Sequence, residues 1–71
     1  MRRYSVVLMP DEGGYSVVVP ALPGCVTQGD SVPEALERAR DAIQVYLDDA
    51  AAHDEKIPVE DGPALLCVLD V

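Results

Sequence analysis

Gly14-Tyr15-Ser16-Val17-Val18-Val19-Pro20-Ala21-Leu22-Pro23-Gly24-Cys25-Val26-Thr27-Gln28-Gly29-Asp30-Ser31 holds two strands, a rigid loop and a helix start in one stretch. Tyr15, Val17 and Val19 alternate with Ser16 and Val18, which predicts a strand over residues 15–19. Pro20 ends it, because proline has no N–H to donate to a ladder. Pro20 and Pro23 fix the backbone, and Gly24 permits a tight bend. Cys25-Val26-Thr27-Gln28 then reads as a short third strand, closed by Gly29-Asp30. Ser31 is a good N-cap, and Glu34 three residues later completes a capping-box pattern.

Upstream, residues 3–9 alternate Tyr4, Val6 and Leu8 with Ser5, Val7 and Met9, a first strand. Pro10-Asp11-Glu12-Gly13-Gly14 joins it to the second as an antiparallel hairpin with a loop of about five residues. Downstream, Pro33 lies in the first helical turn, where its missing N–H costs nothing. Val32, Leu36, Ala39, Ile43, Tyr46, Leu47 and Ala50 recur every three or four residues as one apolar stripe. The helix should end near His53, after about 22 residues and roughly 33 Å. Asp54-Glu55-Lys56, Ile57-Pro58 and Gly62-Pro63 break the pattern, and residues 64–71 form a last strand, apolar on both faces.

The expected fold class is α+β: β-β-β-α-β, a mostly antiparallel sheet with one helix packed on one face. It occupies residues 1–71 as a single domain, with no DNA-binding domain in this chain. A strand reached through a helix normally lies parallel in the same sheet. The helix covers one sheet face only, so Val7, Met9 and Val18, or their opposites, require cover from outside the fold. That pattern points to a protein that works by binding another protein, itself included.

Composition narrows the function. Thirteen acidic against five basic residues give a net charge of -8. Such a surface repels phosphate, which argues against direct nucleic-acid binding and against adsorption to anionic membranes. Nearly half the chain, 49%, is hydrophobic, so it is no disordered acidic tail. Without Phe or Trp, the core must come from 11 Val, 8 Ala, 7 Leu and 2 Ile, helped by Tyr4, Tyr15 and Tyr46. A core that thin suggests support from self-association or a partner. No signal peptide or membrane span is evident, so a cytoplasmic location is expected.

The search for chemistry yields no catalytic residue, cofactor site or metal site. Cys25 and Cys67 lack metal-ligand or CxxC spacing and read as small buried hydrophobes. His53, the single histidine, is placed at an exposed helix end, with no nucleophile beside it. The adjacent acid pairs Asp11-Glu12, Asp48-Asp49, Asp54-Glu55 and Glu60-Asp61 read as solvated loops or helix faces.

The quoted stretch, followed by Glu34-Ala35-Leu36, Ala42-Ile43, Tyr46-Leu47 and Ile57-Pro58, resembles the HicB antitoxin family over nearly the whole chain. The resemblance implies a partial ribonuclease H-like fold. It also implies neutralisation of a HicA-like toxin, a small basic mRNA-cleaving ribonuclease, by covering its RNA-binding and catalytic face. The acidic charge suits that partner. Many family members add a C-terminal DNA-binding domain, for which this sequence shows no counterpart. A ribonuclease H metal site needs an acid at the centre of the first strand, where Ser5-Val6-Val7-Leu8 stands, so nuclease activity is not expected. The alternative is an orphan HicB-like oligomeric domain that binds another protein or a small ligand. A homodimer or homotetramer is expected. Toxin contact is assigned to Asp11, Glu12, Asp30, Glu34, Glu37 and Asp41, each of which also reads as ordinary solvated charge.

Overall fold

The computed structural model describes residues 2–60 and 67–70. Strands β1 (Val7–Asp11), β2 (Gly14–Val18) and β3 (Val26–Gly29) precede helix α1 (Val32–Ala52). The sheet order is β1-β2-β3, antiparallel throughout. This is the expected α+β arrangement, β-β-β-α, with the helix against β2 and β3.

The hairpin is tighter than its composition suggests. Pro10 pairs with Tyr15 and Asp11 with Gly14, leaving Glu12-Gly13 as the turn. Gly13 takes a left-handed φ of 76°, which a residue without a Cβ adopts readily. Pro10 is tolerated because β1 is an edge strand.

Strand β1 begins at Val7, not at residue 3. The reason lies in β2, whose ladder ends at Val18. Beyond it, Val19 N–H donates to Cys25 O at 3.1 Å and the chain turns away, so residues 3–6 have no strand partner on β2. They are tied instead to the segment after the helix. The Tyr4 hydroxyl donates to Pro58 O at 2.8 Å, and Ser5 donates to the Glu60 carboxylate.

The loop from Val19 to Cys25 closes on itself. Leu22 N–H donates to Val19 O and Cys25 N–H to Leu22 O, both at 3.0 Å. Gly24 supplies the left-handed turn, with φ 80°. This closure drives Leu22, 1% exposed, into a cluster with Val19, Cys25, Tyr4, Ala42, Ile43 and Tyr46. A second cluster joins Val17, Ala35 and Ala39 to Val6, Leu8 and Tyr15.

Ser31 caps the helix by accepting from Glu34 N–H at 3.3 Å. The Glu34 carboxylate pairs with Arg38 Nε at 3.1 Å, so only half of the capping box forms. At the other end Asp54 is left-handed (φ 54°), and Glu55 N–H donates to Ala50 O at 2.8 Å, a Schellman-type stop. The buried face is rotated from the expected stripe: Ala35, Ala39 and Ala50 are buried, while Leu36 is 49% exposed. Alanine lets the helix approach the sheet closely. A Cβ on Gly29 would lie 2.6 Å from the Cα and N of Ala35.

Leu36 and Leu47 border an open groove of about 900 Å³, together with Tyr4, Val6, Ile43 and Ile57. The fourth strand was expected over residues 64–71, of which 64–66 and 71 lie outside the described residues. Residues 67–70 are exposed and belong to no strand. A segment apolar on both faces gains little as a strand until both faces are covered, and residues 67–70 have no such cover. Cys67 is accordingly exposed, contrary to the buried role read for both cysteines, whereas Cys25 is buried.

Candidate partner-binding surface

The hairpin turn, the end of β3 and the helix start converge at one end of the sheet. Asp11, Glu12 and Asp30 line a single hollow there of about 100 Å³, with Gly13, Gly14, Tyr15, Gln28 and Gly29. Asp11 is fixed in place: its Oδ1 accepts from Glu12 N–H at 2.8 Å and its Oδ2 from the Ser16 hydroxyl at 3.0 Å. The Glu12 N–H, followed by the Ser16 hydroxyl, holds its carboxyl below the usual 3.8.

Glu34 stands one helical turn from Asp30, partly neutralised by Arg38. Glu37 and Asp41 follow at i+3 and i+7 on the same flank, exposed and outside the hollow. The six acids therefore form a cluster of three at the sheet end and a row of three along the helix. All are solvent-facing apart from the half-buried Glu34.

The neighbouring flank is mixed in charge. Arg2, Arg3, Arg40 and Asp48 line the groove beside Leu36 and Leu47. Three of the chain's five cations thus gather on one side of the helix. Sequence reading missed this gathering of arginines beside apolar residues. The signal was present in Leu36, Arg40 and Leu47, which share a flank at spacings of four and seven.

Burial pushes the Cys25 thiol above its usual 9.0, disfavouring the nucleophilic thiolate. His53 Nδ1–H donates to Asp49 O at 2.8 Å at the helix end, remote from the acidic hollow. That bond, with the Asp49 and Glu55 charges, raises its pKa above 6.5. Among the described residues, no three His, Cys, Asp or Glu side chains group closely enough to hold a metal ion. No described helix is long and apolar enough to cross a membrane.

The fold defines a small α+β domain, and comparison with known proteins gives its family. Residues 4–64 match the family described as HicB-like antitoxin of bacterial toxin–antitoxin systems. The chain belongs to that family.

Its relatives include a UPF0150 protein of Thermoplasma acidophilum, 51% identical over 79% of this chain and 83% of the relative. A UPF0150 protein of Archaeoglobus fulgidus is 46% identical over 84% of this chain and 80% of its own length. Antitoxin HicB of Escherichia coli is 43% identical over 80% of this chain, a match that spans 42% of that antitoxin.

Proposed function

We propose that this chain is an antitoxin that neutralises a HicA-like mRNA-cleaving toxin by covering its RNA-binding and catalytic face, without catalysis of its own, in the cytoplasm. The observation that carries this reading is the gathering of Asp11, Glu12 and Asp30 at one hollow, continued by the acidic helix row from Glu34. A surface that binds RNA phosphates is basic, and an acidic cluster competes for it on the same electrostatic terms. Charge complementarity across such a contact speeds encounter and disfavours RNA. Family membership supports the same role.

The test is co-expression with the short basic protein encoded beside this chain, if the locus contains one. A complex that elutes as one species and restores growth is the expected result. Changing Asp11, Glu12 and Asp30 together to Lys should slow association and weaken the complex while leaving the chain folded. Persistent toxicity with no co-elution overturns the proposal.

A second reading, an orphan HicB-like domain that oligomerises and binds another protein or a small ligand, is favoured by the exposed apolar side chains of Met9 and Val26 on the sheet. It predicts no basic neighbour and no growth phenotype on co-expression.

A further inference from the structure

Ser5 stands on a segment held by side chains. Residues 2–6 form no strand, and Tyr4 and Val6, on either side of Ser5, pack into the core clusters. Ser5 itself stays half-buried. Its hydroxyl donates to Glu60 Oε2 at 2.6 Å and its N–H to Oε1. With the bond from the Tyr4 hydroxyl to Pro58 O, this grip fastens residues 58–60 to the start of the chain. A hydroxyl has one proton to donate, so half of the grip lasts only while the Ser5 oxygen keeps its hydrogen.

The surroundings single out this hydroxyl. Arg2 and Arg3 are the one adjacent pair of cations in the chain, and they stand three and two positions before Ser5. Both are exposed. Together with Tyr4, Val59 and Glu60 they line one hollow of about 290 Å³. Among the described residues neither arginine makes an ion pair. The other hydroxyls lack this setting. Ser16 follows Gly13-Gly14-Tyr15 and donates to Asp11, Thr27 follows Gly24-Cys25-Val26, and Ser31 follows Asp30 and caps the helix.

We propose that Ser5 is a phosphorylation site, and that its phosphoryl group exchanges Glu60 for Arg2 and Arg3. The donor is ATP, and the partner is a serine kinase with an acidic substrate cleft, which paired arginines before the acceptor engage through charge. The Ser5 oxygen bonds to the γ-phosphorus, the bond from that phosphorus to the β–γ bridging oxygen breaks, and ADP leaves with the electron pair. The hydroxyl proton passes to the catalytic carboxylate of the kinase. The product oxygen has no hydrogen to donate, and its phosphoryl group sets a charge of about -1.5 to -2 against the Glu60 carboxylate. Repulsion replaces the hydrogen bond. Two guanidinium groups of the same hollow are there to pair with the phosphate. Tyr4 and Val6 keep the first segment in the core while Glu60 comes away. The acids at the hairpin take no part, so this switch stands whether or not a toxin binds there.

The experiment incubates the full chain with ATP and a serine kinase selective for arginines two and three positions before the acceptor. Peptide mass mapping should place one phosphoryl group on Ser5. Incorporation should vanish in Ser5→Ala and fall about tenfold or more in the double variant Arg2→Gln, Arg3→Gln. Circular dichroism checks that each variant folds. Protection of the Ser5 amide from hydrogen exchange should then drop about tenfold or more in the phosphorylated chain. Ser5→Ala loses the hydroxyl bond but adds no charge, so its protection should drop less. In Glu60→Gln, phosphorylation should cause no further drop, because the repelling charge is gone. The proposal is overturned by a chain that takes no phosphate on Ser5, by phosphate on Ser16, Thr27 or Ser31 instead, or by incorporation indifferent to the arginines. Unchanged protection in the phosphorylated chain overturns it equally.

Discussion

Glu60 grips Ser5 with both carboxylate oxygens: Oε1 accepts the Ser5 backbone N–H and Oε2 its hydroxyl, each at 2.6 Å. Fifty-five positions separate the two residues. The pair fastens the chain after the helix to the segment that precedes β1.

The Ser5 hydroxyl and N–H hold the Glu60 carboxyl below its ordinary 4.5, with a smaller contribution from Arg3. A carboxyl with a lowered folded-state pKa contributes stability that is present above its ordinary value and lost as pH falls through the folded value. The clasp should therefore survive at neutral pH and open on the acid side of 4.5. Hydrogen exchange at the Ser5 amide checks this: exchange should accelerate in Glu60→Gln at neutral pH. Unchanged protection would mean that the clasp does not hold the segment.

Gly29→Ala should destabilise the fold by about 1–3 kcal/mol, the cost of forcing extra volume into a packed contact. Its Cβ would meet the Cα and N of Ala35 at 2.6 Å. Because the collision is with backbone, adding Ala35→Gly should not rescue it. Urea unfolding of the single and double variants measures both statements.

Leu22→Ala should cost about 2–5 kcal/mol, as expected for a buried leucine whose cavity cannot fully collapse. Leu22 is held under the loop by two backbone bonds and packs beside Val19 and Cys25. In a core this small, the loss should show as a large drop in the urea midpoint.

Asp54→Gly should stabilise the chain by about 0.5–1 kcal/mol. Asp54 occupies the left-handed position that ends α1, where a Cβ is unfavourable and glycine is preferred. Thermal unfolding should shift upward, while Asp54→Val should shift it down.

The alternating strands, the Ser31 cap and a helix ending at His53 could all be read in the sequence, because each depends on neighbours a few residues away. That Val7, Met9 and Val18 share one sheet face was legible for the same reason, but which face turns to the helix was not. The hairpin length was not: Pro10 argued for a loop, yet an edge strand tolerates it. The start of β1 depended on where β2 stops, a non-local fact. The helix stripe misled because Leu36 and Leu47 look like core residues, while the close contact at Gly29 selects alanines. At the candidate surface, the acids were identifiable singly. Only the fold gathers Asp11 and Glu12 beside Asp30 and leaves Glu37 and Asp41 apart.

The alanine face of α1 has a consequence for how such a domain can diversify. Ala35 and Ala39 are fully enclosed, and growth at either position would pry helix from sheet. Variation is cheap only on the outward flank and the turn, where the acids sit. A lineage can therefore change its surface charge while its architecture stays still.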